Sequence, residues 1–370
     1  MKIAIVLGTR PEIIKLSSII RECQKRELDY FIIHTGQHYS ANMDAVFFEE
    51  LDLPAPKYNL QIEATQHGTM VGRQLEAIEK ILIDEKPNWV LVQGDTNTVL
   101  AGALAASKLG IKVGHVEAGL RSYDREMPEE INRVLTDHLA DKLFAVGEKQ
   151  RNNLLQEGID EKRIAVVGNT IVDAIWQNQQ LAQEKGTLTA IKEKYQLEKW
   201  VLLTCHRPSN ADAPENLRSI MAAAETLGRE TGRPVIFPIH PRTKKNLVEN
   251  NLSINEEVVR IIEPVGYLEM LSLISGAELV MTDSGGIQEE ACVLGVPSVI
   301  LRENTERPEV LEVGAGQLVG GNDEQRILTG AREMLRVKKD EEGHEKWTNP
   351  FGDGKSGERI IDLITTEVNN

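Results

Sequence analysis

The sequence predicts an α/β protein built from two doubly wound domains. Short apolar runs rich in β-branched residues alternate with longer segments of helical period. The runs are apolar throughout rather than at every second position, as parallel strands are when helices cover both faces of a sheet. The whole series occurs twice, and 370 residues with 41% hydrophobic content are enough for two separate cores.

In the first half the strand runs are "KIAIVL", "YFIIHT", "WVLVQG", "KVGHVEA", "KLFAV" and "RIAVVG". A polar stretch of helical character follows, from Asn169 to about Glu198, broken at Gly186. The second series is "WVLLTC", "PVIFPIH", "VVRII", "ELVMTD" and "PSVIL". The expected domains are therefore residues 1–168 and 169–354. "NPFGDGKSGERIIDLI" reads as a Pro/Gly turn cluster leading into an amphipathic helix, and residues 355–370 are expected to return to the first domain.

A formal net charge of -15 argues against a nucleic-acid or acidic-membrane partner, which would need a basic footprint. The apolar start "MKIAIVLG" is too short for a signal-peptide core, and no long uncharged stretch follows. The three cysteines, Cys23, Cys205 and Cys292, form neither a disulfide framework nor a zinc motif. A cytosolic protein without a bound metal is expected.

In open parallel sheets ligands bind beyond the carboxyl ends of the strands. Those ends are polar here: Gly8-Thr9-Arg10-Pro11, Gly94-Asp95-Thr96, His115-Val116-Glu117, His206-Arg207 and Asp283-Ser284-Gly285-Gly286. In "TDSGGIQEEA" small residues would let an anion approach the unpaired N–H groups of a helix starting near Gly286. "GTRPE" resembles the same device, with Arg10 and Lys15 as cationic partners. Both segments also read as ordinary helix starts, with Asp283 or Ser284 as the cap of the former. "GAGQLVGG" contains a strand instead of opening a helix, so it is not a dinucleotide fingerprint and no nicotinamide cofactor is indicated. His115 and Glu117 lack the PCxxC partner of a zinc deaminase, and His34 and His38 flank a glycine at a strand end. His240 in "PIHPR" has two readings, structural or ligand-contacting.

"VGHVEAGLRSYDREMPEEINR" carries five carboxylates, Glu117, Asp124, Glu126, Glu129 and Glu130. Asp124, Glu126 and Glu129 read as a solvated surface at a helix start. Glu117 ends a strand, and Glu130 near the start of the next helix would converge on it together with Asp95. Such carboxylates are costly to bury and useless for holding an anion. They make sense if protons move to and from carbon, with crowding raising some carboxyl pKa values.

"GTRPEIIKL", "TGQH", "QGDTNT", "VEAGLRS", "PEEINR", "TDSGGIQEEA", "LGVPSVILRENTERPE" and "NPFGDG", in this order, resemble the non-hydrolysing UDP-N-acetylglucosamine 2-epimerase family. The resemblance implies two Rossmann-like domains facing across a cleft, as in glycosyltransferases of the B type. It implies interconversion of UDP-GlcNAc and UDP-ManNAc in a homodimer without a cofactor, by elimination of UDP to 2-acetamidoglucal and re-addition. By position the family's catalytic residues match Asp95, Glu117, Glu130 and His206, the last assisting departure of UDP. Its nucleotide contacts match Arg10, Lys15, Ser284, Gly285, Gly286, Glu290 and Arg307, with Glu290 on the ribose hydroxyls. Bacterial relatives place an aromatic against uracil where this chain offers Met270. They are also activated by substrate at a second site, matched in part by Gln37, His38, Arg207 and His240. "HRPSN" in place of their "HRREN" predicts that this activation is weakened or absent. A retaining UDP-sugar glycosyltransferase of the same fold is the alternative, and it leaves Asp95, Glu117 and Glu130 without a role.

Overall fold

Both series of apolar runs form parallel sheets, because residues such as Ile3, Ile5, Leu91, Phe144, Leu202 and Phe237 are buried completely and only helices on both faces remove that much surface from water. The computed structural model describes residues 1–36, 41–337 and 347–367, with the backbone alone for residues 41–45. The chain forms two compact units, Met1–Gln177 together with the segment from Phe351 onward, and Asn178–Pro350.

Unit 1 runs β1 (Lys2–Leu7), α1 (Arg10–Lys25), β2 (Asp29–His34), α2 (Ala41–Glu50), β3 (Tyr58–Asn59), α3 (His67–Glu85), β4 (Trp89–Gln93) and α4 (Asn97–Lys108). It continues with β5 (Lys112–Ala118), α5 (Pro128–Leu139), β6 (Lys142–Ala145), α6 (Glu148–Gln156), β7 (Ile164–Val166) and α7 (Thr170–Glu184). Its seven strands lie in the order β3-β2-β1-β4-β5-β6-β7.

Unit 2 starts inside α7 and runs α8 (Thr187–Tyr195), β8 (Val201–Thr204), α9 (Pro208–Ala211), α10 (Pro214–Thr231), β9 (Val235–Pro238), α11 (Pro241–Glu249), β10 (Val259–Ile262) and α12 (Tyr267–Ser275). Then come β11 (Leu279–Thr282), α13 (Gly285–Val293), β12 (Ser298–Ile300), α14 (Pro308–Glu312), β13 (Gly316–Leu318) and α15 (Glu324–Met334). The sheet order, β10-β9-β8-β11-β12-β13, repeats the pattern of unit 1.

The units exchange within α7, between Gln177 and Asn178, later than the composition break at Gly168. Gly168 is instead a tight turn of unit 1 at φ +92, where an added Cβ would lie 2.8 Å from Ser356 Oγ. The last helix, α16 (Ser356–Thr366), packs on α1, burying Ile360, Ile361 and Ile364. Gly357 permits that approach, since a Cβ there would sit 3.1 Å from Ser18. Among the described residues no helix is long and apolar enough to cross a membrane.

Candidate active site

In each sheet the strand order reverses once, between β1 and β4 in unit 1 and between β8 and β11 in unit 2. Splayed strand ends at these two points leave crevices for polar residues. A buried carboxylate stitches each crevice, and the two carboxylates do so differently.

In unit 1 the carboxylate is Glu12. The sequence T-x-x-E, Thr9 to Glu12, is a capping box at the start of α1. The Gly8 and Thr9 N–H groups both donate to Glu12 Oε2, the latter at 2.9 Å, and the Thr96 hydroxyl donates to Oε1. The anion cradle read at "GTRPE" is thus filled from within. Burial pushes the Glu12 carboxyl up to about 7 against those hydrogen bonds.

Glu117 is buried at the end of β5, where the pairing with β6 shifts register between Val116 and Ala118. Its φ of +70 is left-handed, a conformation that costs a non-glycine residue about 1–2 kcal/mol and concentrates at functional sites. Lys15 Nζ donates to both Glu117 oxygens at 2.7 and 2.6 Å, and the Gln93 side-chain amide donates to Oε2. Lys15, expected as a phosphate partner, is here engaged by a carboxylate. Arg10 is exposed and lies over the Phe47 ring, 5.7 Å from its centroid.

Asp95 and Glu130 are brought together by Arg133, which pairs with Glu130 at 2.9 Å and with Asp95. Glu130 also accepts the N–H groups of Ser122 at 2.9 Å and Tyr123 at 3.0 Å, holding the loop between β5 and α5. Crowding is expected to raise some of these carboxyls. Burial does push Glu130 up, but the Ser122 and Tyr123 hydrogen bonds and the Arg133 charge outweigh it, leaving Glu130 below its ordinary value. Asp124, Glu126 and Glu129 are exposed, as the surface reading requires.

In unit 2 the stitching carboxylate is Asp283, which is fully buried at the end of β11. It does not cap α13. It accepts the N–H groups of His206 and Arg207, the Asn210 side-chain amide at 3.2 Å, and lies 3.0 Å from His206 Nδ1. Burial raises Asp283, yet His206, Arg207 and Asn210 bring it below the usual range. The His206 ring is 45% exposed, so one face of this carboxylate-anchored imidazole meets solvent.

Because Asp283 turns away, α13 begins with Ser284 as N-cap and no side chain on its first N–H groups. Gly286 has open space around it, and Gly285 stands beside Glu306, whose oxygen would be 3.6 Å from an added Cβ. Glu306 pairs with Arg302 at 2.7 Å, with Arg207 at 3.9 Å, and its carboxyl is pulled down to about 2 by Arg302 first. Arg307 pairs with Glu289 at 2.6 Å. Glu290 is buried, and desolvation, with Glu289 adding, raises it to about 8 against a hydrogen bond from Tyr267. Met270 is half-buried on the core around Trp200 and Leu273. His240 accepts the Arg242 N–H as the cap of α11, with its ring centroid 6.3 Å from that of His206. Burial, then His206 and Arg242, lower its pKa. Gln37 and His38 lie outside the described residues.

Glu12, Gln93 and Asp283 escaped the sequence reading as site-forming groups. The capping-box spacing was available for Glu12. For Asp283 a helix cap is a more local reading than the contact it makes with His206, Arg207 and Asn210 after β8.

A family model described as UDP-N-acetylglucosamine 2-epimerase matches residues 21–365. The chain is 56% identical over 369 residues to the UDP-N-acetylglucosamine 2-epimerase of Methanocaldococcus jannaschii, covering 99% of each chain. The solved structure of a UDP-GlcNAc 2-epimerase from that organism superposes with a TM-score of 0.90 at 54% identity, covering 99% of this chain and 100% of that one. A second, in complex with UDP-GlcNAc and UDP, superposes at 0.83 with 55% identity and the same coverage. A glycosyltransferase of Rickettsia africae, 14% identical with a TM-score of 0.60 over 100% of this chain and 98% of that one, shares the fold alone.

Proposed function

The chain belongs to the UDP-N-acetylglucosamine 2-epimerase family, and from that premise we propose a division of labour in which unit 1 moves the proton and unit 2 holds the nucleotide. The activity is UDP-N-acetylglucosamine 2-epimerisation, an isomerase reaction. UDP-GlcNAc and UDP are the ligands, as in the complex of the archaeal relative, and we take UDP-ManNAc, the C2 epimer, as the second substrate.

The reaction must break the C2–H bond, whose proton is not acidic. Departure of UDP from C1 develops positive charge beside C2 while a carboxylate takes the proton, leaving 2-acetamidoglucal and UDP. Re-addition returns a proton to C2 from the opposite face as the diphosphate oxygen re-forms its bond to C1. Two faces call for more than one proton-carrying group. Glu117, Asp95 and Glu130 fill that role, and the observation that carries the assignment is Glu117, a buried carboxylate in left-handed backbone at a strand end. Lys15 holds both oxygens of that carboxylate at the strand end.

In unit 2 the uncapped start of α13 at Ser284, Gly285 and Gly286 receives the diphosphate, with Arg307 of the same unit as a cation. His206, anchored by Asp283, assists the leaving UDP. Glu290 meets the ribose hydroxyls and Met270 packs the base through its thioether. We keep residues 1–168 and 169–354 as the functional halves, with 355–370 serving the first, while residues 169–177 and 351–354 fold with unit 1.

We assign the protein to the cytosol and to a homodimer. The three buried free cysteines suit a reducing compartment. Tyr123, Met127, Ile131 and Leu135 form an exposed apolar stripe along and before α5, of the kind that a second copy covers.

Proton NMR of UDP-GlcNAc with the enzyme in D2O tests the function. UDP-ManNAc carrying deuterium at C2 is expected. An unchanged C2 proton, with UDP released only when an acceptor is added, would move the assignment to a glycosyltransferase.

A further inference from the structure

Glu117 keeps its left-handed backbone between two anchors, and both lead to one residue that is shut off from solvent. Asp137 of α5 is fully buried. Its Oδ1 lies 2.7 Å from Nδ1 of His115, two residues before Glu117 on β5. Its Oδ2 accepts the N–H of Gly119, two residues after Glu117, at 3.2 Å, and pairs with Arg121 Nη2 at 2.8 Å. The register shift of β5 and the positive φ of both Glu117 and Gly119 lie inside this span. The other ring nitrogen of His115, Nε2, donates to the carbonyl oxygen of Gly94 at 2.8 Å, which is the residue before Asp95.

Arg121 completes the set. Its side chain is buried and makes a two-point ion pair with Glu157 at 2.7 and 2.6 Å, while its Nη1 donates to the Leu120 carbonyl at 2.6 Å. One carboxylate therefore gathers both sides of the bulge, and through the His115 ring reaches the neighbouring strand end. A buried carboxylate with a histidine and an arginine as partners is expensive to assemble and gives little net stability over apolar packing. Its value lies in fixing geometry.

We propose that Asp137, acting through His115 and Arg121, is a positioning residue that sets the placement of Glu117 and Asp95 for proton transfer at C2. This rests on the functional reading above, in which those two carboxylates do the chemistry. Small displacements of reacting groups are costly, with about 1 Å worth on the order of 100-fold in rate.

Asp137→Asn keeps the shape but removes the negative charge that faces both His115 and Arg121. It is expected to lower kcat about 100-fold, while KM and the affinity for UDP by calorimetry stay within about twofold of the parent. Arg121→Met and Arg121→Lys form a second pair, in which only lysine leaves a cation against Asp137. Arg121→Lys is expected to recover about tenfold in kcat over Arg121→Met at equal UDP affinity, and this pair decides the matter if Asp137→Asn does not fold. Retention of kcat within about tenfold in Asp137→Asn, a parallel fall of kcat and UDP affinity, or no difference between the two Arg121 variants would each overturn the proposal. Parent enzyme that binds UDP without making UDP-ManNAc would instead overturn the functional reading, and the positioning role with it.

Discussion

The crevice of unit 1 and the crevice of unit 2 are the same place in the same topology, yet they are furnished in opposite ways. In unit 1 the N–H groups at the end of β1 are consumed by Glu12, and those of the loop after β5 by Glu130. In unit 2 the bridging carboxylate Asp283 reaches across to the segment after β8, and the first turn of α13 keeps its N–H groups uncapped. A side chain already seated in a cradle leaves no N–H group for an incoming phosphate, whereas uncapped N–H groups with arginines near them attract one. The difference shows how one topology can leave helix-start N–H groups occupied by a side chain in one crevice and uncapped in the other.

The largest expected effect tests that split directly. Glu117→Gln preserves shape and removes the base, so kcat should drop about 1,000-fold while the calorimetric affinity for UDP is unchanged. Loss of UDP affinity on the same scale would mean that unit 1 also holds the nucleotide, and the contrast between the crevices would collapse.

A second test addresses the filled cradle. Glu12 titrates near 7 in the folded protein against an ordinary 4.5, because burial disfavours its charge. Between those values the unfolded chain gives up the proton while the folded one keeps it, so stability falls as pH rises from about 4.5 to about 7. The loss is on the order of 3 kcal/mol for a group this deeply buried. Glu12→Gln stays neutral and should remove that share of the slope in thermal melts recorded from about pH 5 to pH 8. An identical slope in the variant would show that Glu12 carries its charge in place.

The smallest effect concerns the empty cradle. Gly286→Ala adds a methyl group where the protein itself has open space, so the melting temperature should not move. The methyl would crowd the bound diphosphate, and UDP should bind about tenfold more weakly, or about 1.4 kcal/mol. Unaltered UDP affinity in this variant would remove α13 from the binding site.

Much of this arrangement was legible in the sequence, because completely buried parallel strands announce themselves as unbroken apolar runs. "KVGHVEA" matches β5 residue for residue. The strand that escaped notice, β3, is two residues long and only partly buried, so it leaves no such run. Strand ends pointed to Asp95, Glu117 and His206 for the same topological reason that ligands bind there. What sequence could not convey was the partner of each charge. Lys15 reads as a free cation at a helix start, and nothing local reveals that the carboxylate opposite it comes from a strand 102 residues away. Asp137 gives no local signal at all, since its three partners arrive through the bulge and the turn after β5.

The return of α16 to α1 has a consequence for synthesis. Unit 2 is an insertion within unit 1, so the ribosome delivers every strand of both sheets before the helix that covers part of the first core. Until Ile360, Ile361 and Ile364 emerge, the corresponding face of α1 waits exposed while the second unit, whose strands are contiguous, can already fold behind it. The half of the molecule that is made first is therefore the half that is finished last.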